Sequence, residues 1–405
     1  MASIPLLTIE ARLKRRIRKH LRKLGFEKDE EGRLQPPENT KECFRSLHLA
    51  QRTERLEKER SFIDTNWRKL SSHFADGTEI VPEQISPRLE LIQADSWQSD
   101  LFRLASLTWS IPVSQGYGRR MRFLVWDDNN GKLIGLFGLT DPVFNLKVRD
   151  EWIGWSVDDR RERLVNVMDA FVLGALPPYN LILGGKLIAS LLCTCELVQA
   201  FKERYSKSCG IISQREKRPS FCLITTSSAL GRSSVYNRLA LGGRRIMTSV
   251  GYTSGWGHFH ISDGLFTEIR NYLSEIGDDY ADNHRFGDGP NWKLRAVRKT
   301  LSLLGMDPSL LQHGIAREVF VCPLASNARE VLRGVRKRPN FKDLESCDVV
   351  AEQALGRWVV PRAERRPEFR RWRRSSVEDL LATRQRGEVL SREKKARKAA
   401  SEGRH

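Results

Sequence analysis

The feature that most limits what this chain can fold into is a pair of apolar runs around a turn. Met121-Arg-Phe-Leu-Val-Trp126 and Lys132-Leu-Ile-Gly-Leu-Phe-Gly-Leu139 are rich in strand formers, and Asp127-Asp-Asn-Asn-Gly131 between them has turn chemistry. An antiparallel hairpin is expected there. Around it the pattern alternates. Leu101 to Trp109 reads as a helix, Arg160 to Leu173 as another, and Tyr179 to Leu183 as a short buried strand. Gly184-Gly185 then turns the chain into a long helix over Lys186 to Tyr205, followed by a strand at Ser220 to Thr226 and a short helix at Ser233 to Leu239. Strands are expected at Arg244 to Val250, Trp256 to Ile261 and Glu318 to Leu324. Interleaved strands and helices of this kind make an α/β core with a mixed sheet (α+β in its strand directions).

Three regions are expected. Residues 1–95 form a basic, mostly helical N-terminal region, with a Pro36-Pro37 loop before helix-forming composition over Lys41 to Phe74. Residues 96–330 hold the core, and residues 331–405 form an extension with an Arg/Lys-rich tail. No run approaches the roughly 20 apolar residues of a membrane span, and no signal peptide opens the chain, so a cytoplasmic protein is expected. Seven cysteines without framework spacing fit reduced thiols better than disulfides.

The formal charge of +19 is concentrated at the ends. Met1 to Lys23 carries eight Lys and Arg against one acid, and Gly356 to His405 carries sixteen against seven, so the two ends hold +16 of the total. The remainder is nearly balanced. Ile9, Leu13, Ile17, Leu21 and Leu24 have helical spacing, which puts Arg15, Arg16 and Lys19 on a basic face beside a narrow apolar stripe. Such a helix can lie on nucleic acid, where phosphate neutralisation releases counterions. A solvated helix face is the plain alternative, and a membrane-surface helix ranks third because the stripe lacks aromatics. Near the other end, Arg370, Arg371, Arg373 and Arg374 surround Trp372, a composition that holds phosphates and stacks bases, or else packs internally by cation-π contacts. In the middle, Tyr117, Arg119, Arg120, Arg122, Arg149, Trp152 and Trp155 again mix cations with aromatics, with pairing of Arg149 or Arg160 to nearby aspartates as the structural alternative. The expected polymer is DNA ahead of RNA.

Other chemistry is sparse. No Gly-x-x-x-x-Gly-Lys-Ser/Thr loop is present, so a motor would be a separate chain. Cys193 and Cys195 sit two apart on an expected helix and diverge, and His258 and His260 share a face of an expected strand without a completing carboxylate, so no metal site is assigned. Asp127-Asp128, Asp158-Asp159 and Asp278-Asp279 stand in turns or at helix starts, where acids cap.

The order of hairpin, strand, glycine turn, long helix, strand, helix and strand resembles the GNAT acyltransferase superfamily. That resemblance implies a cofactor pyrophosphate at Gly184, Gly185 and Lys186, with acyl-CoA as the cofactor, although two adjacent glycines stand in place of the superfamily's Arg/Gln-x-x-Gly-x-Gly/Ala signature. It also implies that Tyr236, in Ser234-Val-Tyr-Asn-Arg-Leu239, protonates the leaving thiolate; a packed aromatic is the alternative. More specifically, Trp109-Ser-Ile-Pro-Val-Ser-Gln-Gly-Tyr-Gly-Arg-Arg-Met-Arg-Phe-Leu-Val125, Arg149-Asp-Glu-Trp-Ile-Gly-Trp155, the same Ser234 to Leu239 segment, Gly251-Tyr-Thr-Ser-Gly-Trp-Gly257 and Arg317-Glu-Val-Phe-Val-Cys-Pro-Leu324 resemble the protein A family of the Druantia anti-phage defence systems. This resemblance implies antiviral defence alongside other system proteins, including a large helicase. Three functions follow: a nucleic-acid-engaging defence component, an acyl-CoA-dependent acyltransferase, or an assembly subunit whose basic ends dock acidic partners.

Overall fold

The computed structural model describes residues 8–30, 33–209, 216–281 and 291–382. Four helices come first: α1 Ile9–Lys23, α2 Lys41–Leu47, α3 Leu49–Lys58 and α4 Arg60–Leu70. They lead to strand β1 Pro87–Leu91, helix α5 Trp97–Ser106 and the hairpin β2 Arg120–Asp127 and β3 Lys132–Thr140. Helices α6 Lys147–Ile153 and α7 Val157–Arg163 precede β4 Val167–Ala175, after which come α8 Gly184–Ser190, α9 Cys195–Tyr205 and β5 Leu223–Ser227. Strand β6 Thr248–Tyr252, helices α10 Asp263–Glu275 and α11 Asn291–Leu303, and β7 Glu318–Pro323 follow, then α12 Ala328–Leu332, α13 Cys347–Ala354, α14 Val360–Arg365 and α15 Ser376–Leu381. Among the described residues no helix is long and apolar enough to cross a membrane.

The expected mixed sheet is present. Its seven strands run in the order β6-β7-β5-β4-β3-β2-β1, antiparallel throughout except for β4 and β5, which pair in parallel at Met168↔Ile224 and Asp169↔Thr225. The hairpin is tight because Asp127 accepts from the backbone N–H groups of Ser86 (3.0 Å) and Asn129 (3.2 Å), and Tyr179 donates its hydroxyl to the other carboxylate oxygen at 2.8 Å. Gly131 closes the turn with φ +67°, where a side chain would be strained.

On one sheet face Met121, Phe123, Val125 and Phe137 pack with α8, α9 and α13. On the other, Leu124, Trp126 and Leu136 meet α3, α4 and α5. Ile153, Val321 and Leu332 form a smaller core under α6 and α12. A separate core joins α1 to α10 and α11 through Leu13, Ile17, Leu21, Ile269 and Val297. Thr8 caps α1 by accepting from Ala11 N–H at 3.2 Å, as an N-terminal Thr should. Six described cysteines are free, four of them buried. The boundary expected at residue 95 falls just past β1, the sheet's edge strand, and the one expected at 330 falls within α12.

Several local expectations are corrected. Arg160 to Leu173 is not one helix: α7 ends at Arg163, and β4 begins at Val167. The change is enforced by Asn166, whose side chain accepts from Ser220 N–H (2.7 Å) while its carbonyl accepts from Cys222 N–H (3.2 Å), which draws the chain into the sheet. Tyr179–Ile182 is a 3-10 turn rather than a strand, following a cis Pro177-Pro178 bond. The long helix expected to Tyr205 breaks at Thr194, which is extended and bridges to Glu345, so Cys193 and Cys195 fall on different elements. Residues 233–239 form turns, not a helix, and 256–261 form no strand beyond a single bridge from Trp256 to Gln312.

Candidate nucleic-acid interface

Strand alternation sorts the basic hairpin segment. Since Met121 and Phe123 face the core beneath α8 and α9, Arg120 and Arg122 project to the opposite face, ahead of Leu124 and Trp126. There they line a cleft of about 830 Å³ with Arg52 and Arg55 from α3, Arg103 from α5 and Arg204 from the end of α9. Phe102, Phe171 and Trp109 add aromatic surface, and Asp95 and Asp100 are the acids in the lining.

The cleft wall is the segment after α5. Trp109 lies over β4 where Gly174 has no side chain, as a Cβ there would come within 3.1 Å of the indole. Tyr117 N–H donates to the Thr140 hydroxyl at 2.7 Å, and the Arg119 N–H donates to Asp141 at 3.0 Å, which ties the wall to the end of β3. Tyr205 clamps the start of β2, accepting from Arg120 N–H (2.9 Å) and donating to Arg120 C=O (2.8 Å).

The six arginines differ in what they are free to do. Arg55 and Arg103 both grip the buried Glu59, at 3.1 and 2.5 Å, and Arg103 lies 3.9 Å from the Phe62 ring centroid. Arg52 donates to the carbonyls of Trp109 (3.0 Å) and Leu380. Arg120, Arg122 and Arg204 form no ion pair among the described residues; Arg122 faces Phe102 at 5.7 Å and Arg204 faces Tyr205 at 5.9 Å. Burial, then the charges of Arg120 and Arg204, push the Arg122 pKa down against the pull of Asp95. Three cations without ion pairs among the described residues thus line one cleft whose acids are Asp95 and Asp100.

The remaining sequence-assigned cations separate from this group. Arg119 turns to the other face, paired with Asp141 at 2.7 Å and lying 5.5 Å from the Phe201 ring. Arg149 is fully buried, bound to Asp150 (2.8 Å) and to the carbonyls of Val143 (2.8 Å) and Phe144 (2.9 Å), so its guanidinium is committed to the protein itself. On α1, Arg15 and Lys19 are exposed, and Arg16 pairs with Glu268 at 3.0 Å. Arg370, Arg371 and Arg373 are exposed, whereas Arg374 is drawn to Asp76, its backbone N–H donating at 2.7 Å. The tail over residues 383–405 lies outside the described residues. Sequence reading missed Arg52, Arg55, Arg103 and Arg204, which long-range packing brings to the cleft, and it missed the exposed run Arg336-Lys-Arg338. That run had a readable signal in its three consecutive cations.

The residues assigned to acyl-CoA lie at the start of α8 and beside the end of β4. Helix α8 has seven residues, and Leu183, in the left-handed region at φ 64°, gives it no side-chain cap. The open side of Gly185 faces Val235 at 3.8 Å, while the Lys186 ammonium rests 5.1 Å from the Trp358 ring. Beyond Asp169 and Thr225, where β4 and β5 part, the Tyr236 hydroxyl donates to Leu173 C=O at 3.4 Å and its ring meets Phe320 edge-on at 5.3 Å. Burial raises the Tyr236 pKa far above its ordinary value, which holds the phenol neutral. His258 and His260 share no strand face, and among the described residues no three His, Cys, Asp or Glu groups converge to hold a metal.

A family model described as Druantia protein DruA matches residues 38–334, a span that contains all six cleft arginines. A curated relative, Druantia protein DruA of Escherichia coli (strain UMEA 4076-1), is 52% identical over 373 residues, covering 92% of each chain. No solved structure matches. By the extent of that match and that identity, the chain belongs to the Druantia protein DruA family.

Proposed function

We propose that this protein is the nucleic-acid-binding component of a Druantia anti-phage defence system, acting in the bacterial cytoplasm with partner proteins that include a helicase. The observation that carries the reading is the gathering of Arg120, Arg122 and Arg204 in one cleft without ion-pair partners among the described residues. Uncompensated like charges cost folding energy, and a site that tolerates them is suited to an anion supplied from outside. The exposed cations of α1 and of Arg370, Arg371 and Arg373 add a diffuse field that would raise the local concentration of a phosphate polymer. DNA is the favoured polymer, with RNA as the comparison arm.

Electrophoretic mobility shift of the full chain across a salt series tests this. Binding should weaken linearly in log affinity against log salt, and Arg120→Gln with Arg122→Gln should make that slope shallower. Absence of binding at low salt, or binding indifferent to salt, overturns it.

One observation favours an acyltransferase-like origin for the core: the strand order β6-β7-β5-β4-β3-β2-β1 with a single parallel pair at β4 and β5. It supports the GNAT-like reading of the fold; the chemistry has weaker support, because the Tyr236 hydroxyl is turned to Leu173 C=O and the Lys186 ammonium to the Trp358 ring. Titration with acetyl-CoA should therefore give no saturable heat.

A further inference from the structure

We infer that the arginine cleft receives one terminal, phosphorylated nucleotide unit, its phosphate on Arg120, Arg122 and Arg204 and its base against the aromatic wall of Phe171 and Trp109. This deepens the nucleic-acid reading above and rests on it. Size gives the first argument. A cleft of about 830 Å³ lies in the range of sites that enclose a small molecule, and a duplex, whose bases are stacked inside two backbones, cannot place a base there. Charge gives the second. An internal phosphodiester carries one negative charge, whereas a terminal phosphomonoester approaches two near neutral pH. Three arginines without ion pairs among the described residues, in a lining whose acids are Asp95 and Asp100, leave positive charge for the dianion, and their forked donors match its oxygens.

The rest of the lining fits a base rather than a bare phosphate. Phe171 and Trp109 are half-buried, so each leaves some ring surface to the cleft, where a base of any sequence can stack. Ser99, Ser114 and Gln115 supply neutral hydrogen-bonding groups, and Asp100 can accept from an exocyclic amine. The wall over 109–118 is fastened to β3 through Thr140 and Asp141, which keeps the cleft formed without a ligand.

The same chemistry has two sources, the end of a single strand or a free nucleotide, and one experiment separates them. Fluorescence anisotropy of the full chain is measured with dye-labelled hexathymidylates bearing a 5′-phosphate, a 3′-phosphate or only hydroxyl ends. At least one phosphorylated strand should bind about tenfold more tightly than the hydroxyl-ended one. Arg120→Gln with Arg204→Gln should abolish that preference with an unchanged circular dichroism spectrum, and Phe171→Leu should weaken all three probes. Competition by thymidine monophosphate identifies the free nucleotide as the occupant; competition by unlabelled phosphorylated strand alone identifies the strand end. Equal binding of all three probes, or a preference that survives in the double variant, overturns the inference. If those same variants still shift long DNA in a salt-dependent way, only the end-binding claim falls. If the unaltered chain shifts no nucleic acid, the underlying function falls with it.

Discussion

Arg122 and Arg149 are both shielded arginines whose pKa is pushed down, first by burial, and they have opposite meanings. Arg149 meets Asp150, Val143 C=O and Phe144 C=O, and Arg160 also reaches Asp150 at 2.7 Å. Removing its guanidinium leaves a cavity at a fully buried position and takes the donors from one oxygen of Asp150 and from two carbonyls, with Arg160 still holding the other oxygen. Arg149→Ala should therefore cost about 3–5 kcal/mol in denaturant unfolding. Arg122 has only like charges and Asp95 for company, so relief of repulsion offsets what Arg120→Gln or Arg204→Gln loses. Melting temperatures of those two variants should equal or exceed the parent's, while nucleic-acid affinity falls. A parallel drop in both would mean that the cations are structural. Tyr236 makes a similar contrast. Its hydroxyl bond to Leu173 C=O is long at 3.4 Å, so Tyr236→Phe should cost no more than about 1 kcal/mol and leave binding intact.

At the scale of elements, the β2–β3 hairpin depends on one carboxylate. Asp127 is fully buried, its pKa is raised by burial, and it organises three donors from Ser86, Asn129 and Tyr179. Asp127→Ala leaves the Ser86 and Asn129 N–H groups without this acceptor and the Tyr179 hydroxyl with only Asn130 at 3.3 Å, and should destabilise by about 2–3 kcal/mol, read from the urea midpoint. This hairpin was legible in sequence because its turn chemistry is local: Asp, Asn and Gly carry the signal within five residues. Strand β4 was not. Val167–Ala175 is covered on both faces for much of its length, so it lacks alternation, and its apolar run continued the pattern of the preceding helix. The segment 256–261 misled in the opposite sense. Trp256-Gly-His-Phe-His-Ile261 alternates like a strand, yet the half-buried Phe259 and the buried His260 pack on each other and on His313 with rings turned 66–79°, and Ile261 N–H turns back to His258 C=O at 2.9 Å. Of the candidate site, Arg120 and Arg122 were legible from the mixture of cations and aromatics over 117–155, which did not separate them from Arg119 and Arg149. Arg52, Arg103 and Arg204 were not, since nothing local relates α3, α5 and the end of α9.

For the whole molecule, the basic helix and the cleft stand on different supports. Helix α1 is held by the core it shares with α10 and α11, and its His20 ring meets His260 C=O at 2.8 Å. Next to that contact lie the buried His48, His260 and His313, with Arg317, Lys293 and Asp263 as charged neighbours and the half-buried His258 beside them. Burial is the leading cause that lowers all four, to about 4 for His48, His258 and His260 and further for His313, from an ordinary value near 6.5. Because the folded pKa values are depressed, the unfolded chain binds more protons between pH 6.5 and 4. Stability is then greatest above pH 6.5 and falls as the pH drops through that window, by about 1 kcal/mol per buried histidine for each unit crossed. The sheet cores hold no such cluster among the described residues, so the loss should be local. Hydrogen exchange at pH 7.5 and 5.0 should show α1 and α10 losing protection at the lower pH while β2, β3 and β4 keep theirs. Arginine and lysine stay charged throughout, and so does a phosphodiester, so a simple cation–phosphodiester contact would be unaffected by this acidification. If α1 contributes to affinity for long DNA through its fixed position, that contribution should diminish at pH 5.0 while the cleft keeps its hold on internal phosphodiesters and loses part of its preference for a terminal phosphate, whose second proton binds near pH 6, and equal protection of α1 at both pH values would contradict the assignment of the histidines.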